Sequence, residues 1–215
     1  KFETKAIREG YKTSQEQEHS AAIFLTSSFT FDSAEQAAQR FAKEEQGNVY
    51  SRFTNPTVEA FQDKLASLEG AESCLATASG MSAIFATIMT LSKPGDHIVA
   101  SRGMFGTTTV LLNTIVNKFG IEVTFVDLPD LVTWKDSIQS NTKLFILETP
   151  SNPLGEVVDL RALATISKEH NIVLAVDNCV MTPALQKPLA LGADIVIHSA
   201  TKYIDGQGRC LAGAI

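Results

Sequence analysis

The feature that most constrains this chain is an alternation that begins near residue 72. Short runs rich in β-branched and apolar residues recur at Ser73–Ala78, His97–Ser101, Ile121–Asp127, Lys143–Thr149, Ile172–Asn178 and Asp194–Ser199. Stretches with helical spacing of apolar residues fall between them, at Ser82–Leu91, Thr107–Phe119, Leu131–Ile138 and Leu160–His170. Runs such as LFIL and IVLAV are apolar almost without interruption, the pattern of strands covered on both faces. Strands that alternate with helices imply right-handed βαβ units. The expected fold is α/β, with a mostly parallel sheet and helices on both faces.

The first seventy residues read differently. They contain few strand-like runs and two expected helices. One is opened by Ser33 with Gln36 three residues on, a capping-box spacing; the other runs from Pro56, a favoured first position, to a cap near Gly70. Between them lies the polar, aromatic loop GNVYSRFTNP. The expected division is an N-terminal arm over 1–60, packed against a neighbouring subunit, and a large domain over 61–215. CLAGAI, residues 210–215, reads as an interior strand, so further sequence is expected beyond residue 215.

With 18 Lys and Arg against 24 Asp and Glu, the net charge of −6 argues against a nucleic-acid binder, which would carry a basic stripe. Cys74, Cys179 and Cys210 are too few and too scattered for a disulfide framework or a structural zinc site, and His19, His97 and His170 show no metal spacing. No stretch is long and apolar enough for a membrane span or a signal peptide. The expectation is a cytoplasmic protein without metal, membrane or nucleic-acid partner.

Ligands of an open parallel sheet bind beyond the carboxyl ends of its strands. The residues there are Ala78-Ser79-Gly80-Met81, Glu148-Thr149-Pro150-Ser151-Asn152-Pro153, Asp177-Asn178 and Ser199-Ala200-Thr201-Lys202. Ser79-Gly80-Met81 leads into a helix start, either an ordinary cap or an anion cradle. It is neither a P-loop nor a dinucleotide fingerprint. Asp177 ends an apolar strand, where a carboxylate needs a cation or several donors; it is a cap, a structural ion pair, or the holder of a protonated heterocyclic nitrogen. Lys202 is a surface lysine or a partly desolvated amine able to form a Schiff base. Ser199 and Thr201 add hydroxyl donors beside it. His198, inside the strand, reads as a core or interface histidine rather than a ligand or base. No Gly-x-Ser-x-Gly elbow supports a serine hydrolase.

Five pieces in order, YSRFTNPT at 50–57, ASGMSA at 78–83, ETPSNP at 148–153, DN at 177–178 and HSATKY at 198–203, resemble the Cys/Met-metabolism family of pyridoxal-phosphate enzymes. The resemblance spans about 150 residues and implies the large domain of an aspartate-aminotransferase-like fold, with a smaller C-terminal domain to follow. It implies pyridoxal 5'-phosphate as cofactor, and Lys202, Asp177 and Tyr50 as catalytic residues. Lys202 would be the Schiff-base lysine and Asp177 the partner of the pyridinium nitrogen. The Gly80 and Met81 amides, with the Ser199 and Thr201 hydroxyls, would bind the phosphate. Tyr50 and Arg52 would reach the phosphate of the neighbouring subunit, and Asn152 would lie near the ring oxygen and the substrate carboxylate. The family's stacking tyrosine is replaced by Phe105 in Met104-Phe105-Gly106-Thr107, which keeps the ring and loses the phenol. That departure, with DNCVMTP at 177–183 and DGQGR at 205–209, resembles the branch that exchanges the succinyl ester of homoserine for sulfide.

The implied reaction is γ-replacement, O-succinylhomoserine and sulfide giving homocysteine and succinate. The implied assembly is a dimer as active unit within a homotetramer. A cystathionine γ-synthase, a γ- or β-lyase, a non-catalytic phosphate- or nucleotide-binding module and an inactive enzyme fragment remain the alternatives.

Overall fold

A computed structural model describes residues 1–215, which divide into two compact units, 1–68 and 69–215. The first unit holds α1 (Phe2–Arg8), α2 (Ala34–Phe41) and most of α3 (Pro56–Glu69). Ser33 caps α2, its hydroxyl accepting the Gln36 N–H at 3.1 Å. The Gln36 amide oxygen returns to the Asp32 N–H at 2.9 Å, one residue earlier than in the usual box. Asn55 does the same for α3, accepting the Thr57 N–H at 2.9 Å while its own amide donates to Phe24 O at 3.0 Å. α3 ends at Gly70, whose φ of +78° is the left-handed conformation glycine adopts freely. α1 was not anticipated, because a seven-residue helix with no buried residue leaves no apolar stripe to read.

The second unit is built on seven strands: β1 (Ala76–Thr77), β2 (His97–Ser101), β3 (Glu122–Val126), β4 (Thr142–Glu148), β5 (Val173–Asp177), β6 (Ile195–Ser199) and β7 (Gly213–Ala214). They pair in the order β1-β7-β6-β5-β4-β2-β3. The five from β6 to β3 are parallel, and the short β7 runs antiparallel between β1 and β6. The mostly parallel sheet expected from the alternation is present. The run Ser73–Ala78 forms a strand only at Ala76–Thr77, because β7 offers it two residues to pair with; reciprocal Leu75–Ile215 backbone bonds of 2.8 and 3.0 Å extend the contact by one position.

Four further helices cover the sheet: α4 (Gly80–Leu91), α5 (Gly106–Val110), α6 (Leu131–Asp136) and α7 (Leu160–Glu169), with the single turn α8 (Thr182–Leu185) after β5. Successive strand residues explain the unbroken apolar runs. Leu144 and Ile146 of β4 join Ile98, Ala100, Ala175 and Ile197 under Ala83, Ile84 and Ile88 of α4. Phe145 and Leu147 point the other way, with Val99, Leu174 and Val176, under Trp134 of α6 and Leu160, Leu163 and Ala164 of α7. Each fully buried Leu or Ile contributes about 1.5–3 kcal/mol, which makes this two-sided sandwich the main stabilising element.

The expected helix over Thr107–Phe119 is α-helical only to Val110, then widens to a π turn at Leu111–Ile115 and tightens to 3₁₀ at Val116–Phe119. Four threonines and two asparagines lie in this segment, and the Thr114 hydroxyl donates to Val110 O at 2.6 Å, a back-bond that loosens the α ladder. No helix is long and apolar enough to cross a membrane.

Candidate active site

The carboxyl ends of β4, β5 and β6 and the start of α4 surround a cavity of about 940 Å³, lined wholly by residues of the 69–215 unit. Its volume is that of a small-molecule site. Gly80, Met81, Phe105, Asn152, Asp177, Ser199, Thr201 and Lys202 all line it. Tyr50 and Arg52 belong to the other unit, where Tyr50 bridges Ser28 and the Arg52 guanidinium lies 5.3 Å from the Tyr50 ring and 5.0 Å from the Phe53 ring.

One end of the cavity is formed by the start of α4. Ser79 caps α4, its hydroxyl accepting the Ser82 N–H at 3.1 Å, which leaves the Gly80 and Met81 N–H groups at the helix start without an intrahelical acceptor. α4 can approach β6 because residue 80 has no side chain. A Cβ there would lie 2.6 Å from Ser199 Cβ and 2.9 Å from Ser199 Cα. Gly213 of β7 is equally enclosed, since its Cβ would lie 2.1 Å from Ser79 O. Thr201 Oγ1 donates to Ala212 O at 3.3 Å and accepts the Ala212 N–H at 3.1 Å, so this hydroxyl also ties the turn after β6 to β7.

Asp177 is 8% exposed at the end of β5. It forms neither a helix cap nor an ion pair; its Oδ1 accepts the Cys179 N–H at 3.0 Å. Burial pushes its carboxyl up to about 6, against the opposing pull of that N–H and of the His198 charge. A carboxylate so desolvated is a receptor for a cation. Lys202 sits in the turn that leaves β6, its N–H donating to Ser199 O at 3.2 Å. Its side chain is exposed along the cavity wall rather than partly desolvated. Phe105, at the start of α5, turns a ring that is 47% exposed to the same cavity.

Behind the cavity His198 meets Glu69, Nε2 to Oε1 at 2.6 Å, and Asn178 donates to the same oxygen at 3.1 Å. The core reading of His198 thus gains a partner that sequence reasoning did not supply: Glu69 is the last residue of a helix, with nothing local to mark it. Glu148 stands among the strand-end residues without a role of its own in the sequence reading. It ends an apolar strand as Asp177 does, and that shared signal was sufficient to single it out.

A parallel sheet whose carboxyl edge gathers a lysine, a buried carboxylate and a helix start defines an α/β cofactor-binding scaffold. Residues 3–215 match the model of the Cys/Met metabolism PLP-dependent enzymes, and the chain belongs to that family. It is 55% identical to an O-succinylhomoserine sulfhydrylase of Pseudomonas aeruginosa over all of its own length and 53% of the relative's. It is 47% identical to an L-methionine gamma-lyase of Fusobacterium nucleatum over 90% of its length and 49% of the relative's. Among solved structures, it superposes with a TM-score of 0.94 and 37% identity on a protein described as an O-acetylhomoserine (thiol)-lyase from Campylobacter jejuni that carries N'-pyridoxyl-lysine-5'-monophosphate, covering 99% of this chain and 52% of that one. The chain spans about half the length of the relatives it matches.

The residues present fit pyridoxal phosphate. The cavity has the volume for the ring and phosphate, Asp177 is a desolvated carboxylate in want of a cation, and the start of α4, drawn close to β6, puts Gly80 and Met81 on the cavity wall.

Proposed function

We propose that the protein carrying this chain catalyses γ-replacement, converting O-succinylhomoserine and sulfide to homocysteine and succinate. The observation that carries the reading is the meeting of Lys202, Asp177 and the start of α4 in one cavity. When bound, pyridoxal phosphate supplies an electron sink for charge left on the substrate carbons. The Gly80 and Met81 amides and the Ser199 and Thr201 hydroxyls hold its phosphate, and the dipole of α4 favours the negative charge. Asp177 would hold a proton on the ring nitrogen, and Phe105 would pack against the ring. Lys202 would hold the cofactor, and its amine would move protons at the α- and β-carbons of the substrate. A positioned amine contributes roughly 10²–10⁴-fold to each such transfer. Asn152, exposed on the rim, orients the substrate carboxylate.

Tyr50 and Arg52 act from a second copy, in a dimer that pairs again to a tetramer. What supports this is the apolar surface of the first unit, where Ile23 is 73% and Leu25 94% exposed. The guanidinium fork of Arg52 suits a phosphate dianion. The cytoplasm is the proposed compartment, in keeping with three free cysteines. The succinyl preference is supported by the 55% identity to the Pseudomonas relative and by Phe105 in place of a proton-donating phenol. The lyase reading draws on the 47% identity to the Fusobacterium protein.

Borohydride reduction of the protein with pyridoxal phosphate, followed by peptide mapping, should place the pyridoxyl mass on Lys202; a label elsewhere overturns the assignment. Homocysteine formed from O-succinylhomoserine only when sulfide is added supports replacement, whereas release of 2-oxobutanoate from methionine marks a lyase.

A further inference from the structure

Glu148 has a place in this cavity that the proposed reaction does not use. It is 4% exposed, lines the cavity, and pairs in register with Asp177 across β4 and β5. Phe105 lies 43 residues away in sequence, yet its N–H donates to Glu148 Oε2 at 2.9 Å. Phe105 is also the N-cap residue of α5, and its own side chain makes no capping bond. In a capping box the N-cap N–H is taken by a glutamate from within the same helix. Here a glutamate from the central sheet takes it.

We propose that Glu148 is a positioning residue for Phe105: from the end of β4, its carboxyl group supplies the acceptor that α5 lacks, and so fixes the angle at which the Phe105 ring borders the cavity. The inference rests on the reading that this cavity receives an aromatic cofactor ring. A long-range acceptor helps here, because the first residues of α5, Gly106 and three threonines, are weak helix formers. The ionisable groups that share the cavity are Asp177, Cys179, Lys202 and Tyr203. Burial, then the charge of Asp177, pushes the Glu148 carboxyl up to about 7, against the Phe105 and Asn152 amides. Protonated or ionised, the carboxyl keeps an oxygen that accepts the Phe105 N–H. That is why glutamine is a fair replacement and alanine is not.

The experiment uses the intact protein with pyridoxal phosphate as probe. Amide exchange at Phe105 and cofactor affinity are measured for wild type, Glu148→Ala and Glu148→Gln. Loss of the acceptor should speed Phe105 exchange by about tenfold or more and weaken pyridoxal phosphate by a similar factor, with exchange in β5 unchanged. The glutamine variant should restore both. Where the alanine variant is too unstable, Glu148→Asp, which keeps the charge but withdraws the acceptor by one methylene, should show the same two losses. Unchanged Phe105 exchange without the acceptor overturns the proposal, as does faster exchange with undiminished cofactor affinity. Failure of the wild type to bind pyridoxal phosphate refutes the functional reading instead, and Phe105 exchange then still decides whether Glu148 sets the start of α5.

Discussion

His198 Nε2 and Glu69 Oε1 lie 2.6 Å apart with both side chains nearly sealed from solvent, and each has a second polar atom, Nδ1 and Oε2, buried without a partner. Within the 69–215 unit, the pair ties Glu69 to the strand that leads to Lys202. Asn178 extends it, donating to Glu69 and to Gln186 O, while the Gln186 amide donates to Asn178 Oδ1 and Thr149 O. The ends of β4, β5 and β6 are thus laced together by one buried polar network.

Removing one member of a buried pair strands the other. Glu69→Ala should destabilise the fold by about 3–5 kcal/mol, read as a shift in the urea midpoint at unchanged slope. Replacing both, with Glu69→Leu and His198→Phe, should recover most of that loss; a double variant as unstable as the sum of the singles contradicts the pair.

The Asp177 carboxyl is held at about 6 against an ordinary 3.8, and Glu148 at about 7 against 4.5. Both folded values lie above the unfolded ones, so the folded chain keeps these protons longer, and stability falls as pH rises from about 4 to about 7. One pKa unit corresponds to about 1.4 kcal/mol, so Asp177 alone accounts for roughly 3 kcal/mol of the decline. In unfolding curves of the ligand-free protein, Asp177→Asn should flatten the lower part of that slope and Glu148→Gln the upper part. Pyridoxal phosphate should flatten the lower part in the wild type, because a cation at Asp177 cancels the cost of its charge.

Gly80→Ala places a methyl group 2.6 Å from Ser199 Cβ, and α4 must then move from β6. The expected cost is about 1–3 kcal/mol in stability. Cofactor affinity should fall further than stability does, since the displaced amides are the proposed phosphate donors. An alanine variant with unaltered affinity shows that the phosphate end lies elsewhere.

The central sheet was legible because burial on both faces writes itself as unbroken runs such as Leu144–Leu147, and the strand ends led directly to Asp177 and Lys202. Local caps were legible too, at Ser33, Pro56 and Gly70. What stayed hidden depends on distant partners. β1 is short because β7 is short, 138 residues on by the Ala76–Ala214 pairing. The π turn at Leu111–Ile115 arises where hydroxyl back-bonding competes with a helical pattern. Glu69 acquires meaning only from His198, 129 residues later.

The corner at Ser79-Gly80 is wedged between β6 and β7 so tightly that neither Gly80 nor Gly213 has room for one more carbon atom. That wall of the cavity has no latitude for divergence, whereas Phe105, Val180 and Tyr203 stand on walls with solvent beside them. Descendants of this sequence that adopt a new substrate should therefore carry their changes on the open side, and keep the wedge untouched.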